Sequence, residues 1–130
     1  MKHLDPKEAH ALLQSDSQAL LIDVRSDIEY LFVGHPVGAI HVSWHDGPDW
    51  DINPHFVGEV RRLADDSNDR PILLLCRSGN RSEEAGEALE TAGFTNVINI
   101  RHGFEGERDE QHHRNTLNGW RVDGLPWEQT

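Results

Sequence analysis

Residues 72–76, Ile-Leu-Leu-Leu-Cys, form the longest unbroken apolar run in the chain. Five residues are too few for a core helix and far too few to cross a bilayer. Set between Arg70-Pro71 and Arg77-Ser78-Gly79, the run reads as a strand covered on both faces. That pattern belongs to parallel sheets, whose crossover helices hide both sides. Residues 20–24 and Val97–Ile100 are similar runs, and 39–42 is a shorter strand candidate.

Helix signals fill the intervals. Asp5-Pro6-Lys7-Glu8 joins a capping residue, a proline suited to the first helical position and a glutamate that closes a capping box. A short helix from this start to about Gln14 follows, and the opening stretch 1–14 as a whole reads as amphipathic helix. Ser26-Asp27-Ile28-Glu29 is a second capping box, opening a short helix that ends near Gly34. After Asn53-Pro54, residues Phe56, Val57, Val60, Leu63 and Ala64 share one helical face. Asn80–Thr91 is helical, with Gly93 its C-cap. Residues 43–53 read as loop, and the polar tail holds one helix candidate at 116–120. Strands alternating with helices predict an α/β fold with a mostly parallel central sheet and helices on both faces.

At 130 residues the chain is the size of one domain. Its 12 basic and 23 acidic residues give a net charge of −11, the wrong balance for gripping phosphate backbones, so nucleic acid is excluded as a partner. The opening residues carry no apolar stretch, and the expectation is a cytoplasmic protein that does not engage membrane. A single cysteine excludes an internal disulfide, a cysteine-based zinc site and an internal resolving thiol. If Cys76 is reactive, it hands its chemistry to another molecule.

In a parallel sheet the loops leaving the carboxyl ends of the strands converge on one edge, where ligands bind. Here those loops begin at Arg25, Ser43, Cys76 and Arg101, which brings Cys76, Arg25, Arg77 and Arg81 to one edge with Trp44, His45 and His102 nearby. A lone cysteine at a strand end is most often a small hydrophobe. Packing, however, does not call for Arg77-Ser78-Gly79-Asn80-Arg81-Ser82 directly after it. This loop leads into a helix N-terminus, whose unpaired N–H groups favour anions. Gly79 and Asn80 tolerate the conformations that curl such groups into a nest, and two arginines add fixed charge. The surroundings favour a thiolate at Cys76 and a bound oxyanion beside it.

With these residues in place, the chain resembles the single-domain rhodanese family. The resemblance rests on motifs in order: Leu21-Ile22-Asp23-Val24-Arg25, Glu29, Gly34-His35-Pro36-Val37-Gly38-Ala39-Ile40, the loop Cys76 to Ser82, Gly93-Phe94 and Gly124-Leu125-Pro126-Trp127. It implies a rhodanese-like α/β fold over 1–130 as one domain, with an extended polar insertion at 103–120 before the closing Gly-Leu-Pro-Trp motif. It also implies a thiosulfate sulfurtransferase that needs no cofactor and no metal. Cys76 would be the catalytic nucleophile, carrying sulfane sulfur from thiosulfate or a similar donor to a thiol or cyanide as a persulfide. Arg77, Ser78, Gly79, Asn80, Arg81 and Ser82 would bind substrate. A protein persulfide donor or acceptor is a further partner, and a persulfide relay module serving such a protein is the alternative reading.

Cysteine phosphatases and arsenate reductases of the same superfamily have a loop one residue longer. The four residues between Cys76 and Arg81 suit an extending sulfur better than a tetrahedral phosphate, and Leu73-Leu74-Leu75 offers no general acid. Asp23 and Arg25 read as structural, with Arg25 pairing with Glu29 across one helical turn. Trp44 and Trp50 either wall the pocket or fill a satellite core. His102, His112 and His113 read as solvated loop residues rather than metal ligands. Residues 105–119 read as a surface elaboration or as a lid or docking loop at the active edge.

Overall fold

The computed structural model describes residues 1–130, the side chain of Asp46 excepted. The elements run β1 (Lys2–Leu4), α1 (Pro6–Ser15), β2 (Leu20–Asp23), a π-helical turn (Glu29–Val33), β3 (His35–Pro36), β4 (Ile40–His41), β5 (His45–Asp46), β6 (Asp51–Ile52), α2 (Phe56–Leu63), β7 (Ile72–Leu75), α3 (Asn80–Thr91), β8 (Val97–Ile100) and β9 (Trp127–Glu128). The main sheet has five strands in the order β1-β8-β7-β2-β4, all parallel. Leu74 stands opposite Ile22 on one side and Asn99 on the other.

All four residues of β7 are fully buried, because the strand is central and both sheet faces are covered. Side chains alternate between two cores. Ile22, Ile72, Leu74 and Cys76 face Phe56 and Val60 of α2 and Ala85 and Leu89 of α3. Leu21, Leu73, Leu75, Ile98 and Ile100 face Ala9 of α1 together with Phe104 and Trp120 of the tail. Each such aliphatic side chain contributes about 1.5–3 kcal/mol by leaving water. The layering thus places Cys76 on the α2/α3 side, at the carboxyl end of the central strand.

The predicted caps form. Asp5 N–H donates to Glu8 Oε1 at 3.0 Å. Ser26 Oγ donates to Glu29 Oε1 at 3.0 Å and accepts the Glu29 N–H at 3.4 Å. Past α3, Gly93 N–H reaches the Glu90 carbonyl and Phe94 N–H the Leu89 carbonyl, the two bonds of a Schellman motif.

Three expectations need correction. The chain does not enter its first helix directly: Lys2, His3 and Leu4 pair in parallel with Ile98, Asn99 and Ile100, so backbone partners on β8 override a helical reading of the opening residues. Residues 43–53 are not wholly loop, since His45 pairs with Ile52 and Asp46 with Asp51 in a small antiparallel ladder. The segment 116–120 is not helical. Trp120 N–H donates to Gly103 O at 2.9 Å and Arg121 N–H to Phe104 O at 3.3 Å, so these amides bond across to the preceding segment instead of back along a helix. The chain then closes with β9 antiparallel to β3.

Candidate active site

β7 delivers Cys76 to the loop, and α3 starts at Asn80. Between them Gly79 has φ +112°, a conformation costly for residues with a Cβ, and this turns its N–H onto the sulfur. Gly79 N–H donates to Cys76 Sγ at 3.1 Å, and Ser82 Oγ lies 3.2 Å from the same sulfur. Ser82 in turn donates to Asn99 Oδ1 at 2.5 Å, and Asn99 Nδ2 donates to the Gly79 carbonyl at 3.2 Å. One buried amide on β8 therefore holds both groups that touch the thiol. The same Nδ2 lies 3.3 Å from His3 Nδ1. A buried hydrogen-bond chain of this kind keeps its members in fixed rotamers, since each buried polar atom loses its partner if it moves.

Cys76 is 1% exposed and sits at the floor of a pocket of about 310 Å³. Arg77 and Ser78 come from the loop, Asn80 and Arg81 from the first turn of α3, Glu29 from the π-helical turn and Trp50 from the β5–β6 connection. Arg81 grips Glu29 with both terminal nitrogens, at 2.7 and 2.9 Å. Burial alone would push the Glu29 carboxyl up. The hydrogen bond and charge of Arg81 outweigh it and, with the Ser26 hydroxyl, hold the carboxyl down at about 2. Burial likewise opposes the Arg81 charge, but Glu29 and then Cys76 raise it above the ordinary arginine value. Its guanidinium also stands 5.6 Å from the Trp50 ring centroid. Arg77 is exposed and, among the described residues, no carboxylate lies within ion-pair distance of it. The pocket thus presents a sulfur, a committed cation at Arg81 and a free cation at Arg77.

The back of the loop is held by the tail. Phe104 N–H donates to Cys76 O at 2.8 Å, and the N–H groups of Glu105 and Gly106 both reach Arg77 O, at 2.9 and 3.2 Å. A Cβ on Gly103 would overlap the Cys76 carbonyl oxygen, so only glycine lets the strap lie this close.

All seven loop residues named from the sequence, Cys76 to Ser82, stand at this edge. Other expectations are redistributed. Arg25 does not pair with Glu29; it is fully buried, with Nε 2.9 Å from Asp23 Oδ1 and Nη2 2.6 Å from Gly34 O, over the Phe104 ring. The reason is positional: Arg25 lies on the strand's line and turns into the core, where a charge must be paired, while Glu29 turns out to Arg81. Trp44 fills the core, edge-on to Phe56 with Nε1 on Glu84 at 3.2 Å, whereas Trp50 walls the pocket. His112 and His113 are exposed. Asn99 was not singled out from the sequence. Its one signal is a polar residue inside the apolar run Val97–Ile100. A second cleft of about 280 Å³, between α1 and β4 on the opposite face, is lined by His10, Leu13, Val37 and Trp120 and holds no nucleophile.

A parallel α/β sheet with a cysteine-led loop at a helix N-terminus defines a class that includes sulfur- and phosphate-handling proteins. Within that class the chain belongs to the rhodanese-like domain family, whose profile matches residues 5–109. Among solved structures it is similar to Rv0390 from M. tuberculosis, at 38% identity and a TM-score of 0.86, covering 100% of this chain and 98% of that one. It is 32% identical over 126 residues to an uncharacterised protein of Rickettsia conorii, covering 93% of this chain and 92% of the relative. It is also 35% identical over 104 residues to the thiosulfate sulfurtransferase GlpE of Pseudomonas entomophila, covering 80% of this chain and 82% of that protein. Among the described residues, no helix is long and apolar enough to cross a membrane.

Proposed function

We propose that the protein is a thiosulfate sulfurtransferase in which Cys76 carries sulfur as a persulfide. The observation that carries this reading is the Gly79 N–H on Cys76 Sγ at the floor of a pocket whose mouth holds the unpaired Arg77. An N–H aimed at the sulfur stabilises the negative charge that the transferred sulfur brings to Cys76, and Arg77 draws in an anionic donor. The thiolate attacks the outer sulfur of thiosulfate. A bond forms between the two sulfurs, the bond to the oxidised sulfur breaks, and its electron pair leaves on sulfite. A thiol or cyanide then takes the outer sulfur and restores the thiolate. The step needs no added oxidant, because the donor's outer sulfur arrives at the sulfane level and the acceptor's removal of it returns Cys76 to its starting state. The name of the Pseudomonas entomophila relative supports the choice of thiosulfate. In this reading Ser78 and Asn80 contact the donor, while Arg81 acts through its bond to Glu29. Residues 1–130 form one domain, 103–120 are its insertion, and the protein works in the cytoplasm, where a lone thiol stays reduced.

A persulfide relay to a partner protein is a second reading. It draws on Ile28 and Phe32, 69% and 73% exposed on either side of the pocket residue Glu29. The deciding experiment is intact mass of the reduced protein after thiosulfate and then cyanide, alongside Cys76→Ser. One sulfur gained, removed by cyanide and absent in the variant, supports the proposal. No gain from thiosulfate but gain from a protein persulfide supports the relay.

A further inference from the structure

Cys76, Ser82, Asn99 and His3 form one hydrogen-bond chain, which runs from the nucleophile across β8 to the edge strand β1. One group fixes its donors and acceptors. The Gly79 carbonyl can only accept, so the Asn99 nitrogen faces it at 3.2 Å and the Asn99 oxygen faces the Ser82 hydroxyl. Turning the amide over would set two carbonyl oxygens against each other at that distance. With the nitrogen so placed, its remaining proton is the one available to His3 Nδ1, 3.3 Å away. An amide nitrogen donates and never accepts. His3 Nδ1 therefore carries a lone pair here, and the proton of the neutral ring sits on Nε2.

Strand register brings the ring to this place. His3 stands opposite Asn99, while Leu4 packs into the core on the α1 side, so His3 and Met1 lie on the α3 face of the sheet. His3 is exposed, in a cleft of about 300 Å³ behind the loop that it shares with Gly79 and Asn99. The charged and titratable groups lining that cleft with it are Glu83 of α3 and, after β8, Arg101, His102 and Glu107. Arg101 pairs with Asp5, His102 stands 3.8 Å from Glu107, and the Met1 amine on the same face pairs with Glu90.

We propose that His3 is a positioning residue for Cys76, acting from outside the pocket through Asn99: its neutral ring takes the second amide proton and keeps Asn99 seated on the Gly79 carbonyl. Its consequence for sulfur loading rests on the sulfurtransferase reading. A protonated ring turns an N–H toward the amide N–H, and two donors at 3.3 Å repel. Asn99 then leaves the Gly79 carbonyl. Gly79, at φ +112°, loses that tether, and its N–H moves off the sulfur. The negative charge that the transferred sulfur brings to Cys76 is then held less well, and loading slows. Loading thus follows the charge of a histidine that touches neither donor nor nucleophile.

The test compares the wild type with His3→Asn, whose Oδ1 replaces Nδ1 as an acceptor but takes up no proton. Loading of Cys76 by thiosulfate is followed by intact mass between about pH 8 and 5.5, the range in which histidine changes charge. Ionisation of Cys76 is common to both proteins and cancels in the ratio of their rates. That ratio, variant over wild type, is near one at the alkaline end and rises about threefold toward the acid end, the effect of part of one hydrogen bond. His3→Leu, which has no acceptor, starts about threefold slower than wild type and meets it in acid. His102→Asn, which tolerates the φ of +71° at that position, follows the wild type throughout. A His3→Asn ratio that stays flat or falls in acid overturns the proposal. So does an acid step abolished by His102→Asn instead, or a His3→Leu loss independent of pH, which marks a structural role alone. If thiosulfate loads none of these proteins, the sulfurtransferase reading fails by itself. Iodoacetamide alkylation of Cys76 over the same range then carries the test of His3: a ratio of His3→Asn to wild type that changes with pH upholds it, and a constant ratio overturns it.

Discussion

Asn99 accepts the Ser82 hydroxyl at 2.5 Å from the strand beside the one that ends in Cys76. The same side chain holds the Gly79 carbonyl, so the two groups on the sulfur share one clamp. Asn99→Ala leaves both unheld. The expected outcome is a several-fold change in the rate of Cys76 alkylation by iodoacetamide, because both groups that touch the sulfur are released, and a stability loss of about 1–3 kcal/mol from the unmet buried groups. Stopped-time alkylation followed by mass, with urea melts alongside, checks both. Wild-type alkylation in this variant would mean that Gly79 and Ser82 hold their places unaided.

Glu29 and Arg81 give a prediction with a defined sign in pH. The Glu29 carboxyl is held at about 2, below its ordinary 4.5, so the folded state binds its proton more weakly than the unfolded state does. Its stabilising contribution is fully present above about 4.5 and is lost as pH falls through about 2. Glu29→Gln removes the charge at every pH. The stability gap between wild type and variant is expected to be about 1–3 kcal/mol at pH 7 and to narrow steadily below pH 4.5. Urea unfolding at pH 7, 4 and 3 reads the gap, and a gap that does not change with pH contradicts the assignment.

The main sheet and its helices were legible because their signals are local. The run at 72–76 names a buried strand by composition alone, and Asn80–Thr91 is bracketed by a loop of turn residues and by Gly93. What escaped depends on partners far along the chain. β1 exists because β8 offers its edge, and nothing in Lys2-His3-Leu4 announces that. The exchange of partners between Arg25 and Arg81 escaped for the same reason. Asp23 and Glu29 are both at helical or strand spacing from Arg25, and only the burial of Arg25 beside Asp23 and the approach of α3 decide that Asp23 meets Arg25 and Glu29 meets Arg81. Cys76 and its loop were readable as a motif, but Asn99, 23 positions beyond Cys76, becomes part of the site only through strand register.

Gly103 tests the strap behind the nucleophile. Its missing Cβ is what lets Phe104 and Glu105 bond the Cys76 and Arg77 carbonyls. Gly103→Ala forces a Cβ into backbone atoms at a positive φ of 58°. A cost of about 2–4 kcal/mol is expected, since neither the strap nor the loop can yield without breaking hydrogen bonds. Thermal melts of this variant against Gly124→Ala, where a Cβ meets nothing within 4 Å at a φ of +75°, separate overlap from backbone strain. Equal losses in the two variants would leave strain as the whole effect.

Arg77 and Arg81 are both arginines of the loop, yet the structure gives them different work. Arg81 is tied to Glu29 by two bonds, while Arg77 is exposed and, among the described residues, has no carboxylate at hand. Arg77→Ala is therefore expected to raise KM for thiosulfate by roughly tenfold, about 1.4 kcal/mol of lost anion attraction, and to leave the melting temperature close to wild type. Arg81→Ala strands the Glu29 charge in a half-buried site. It lowers stability by about 1–3 kcal/mol before any effect on donor binding is counted. The contrast is read by steady-state kinetics and melts on the same preparations. A large stability loss in Arg77→Ala, or a KM that does not move, would show that the free guanidinium at the mouth is not what draws the donor to Cys76.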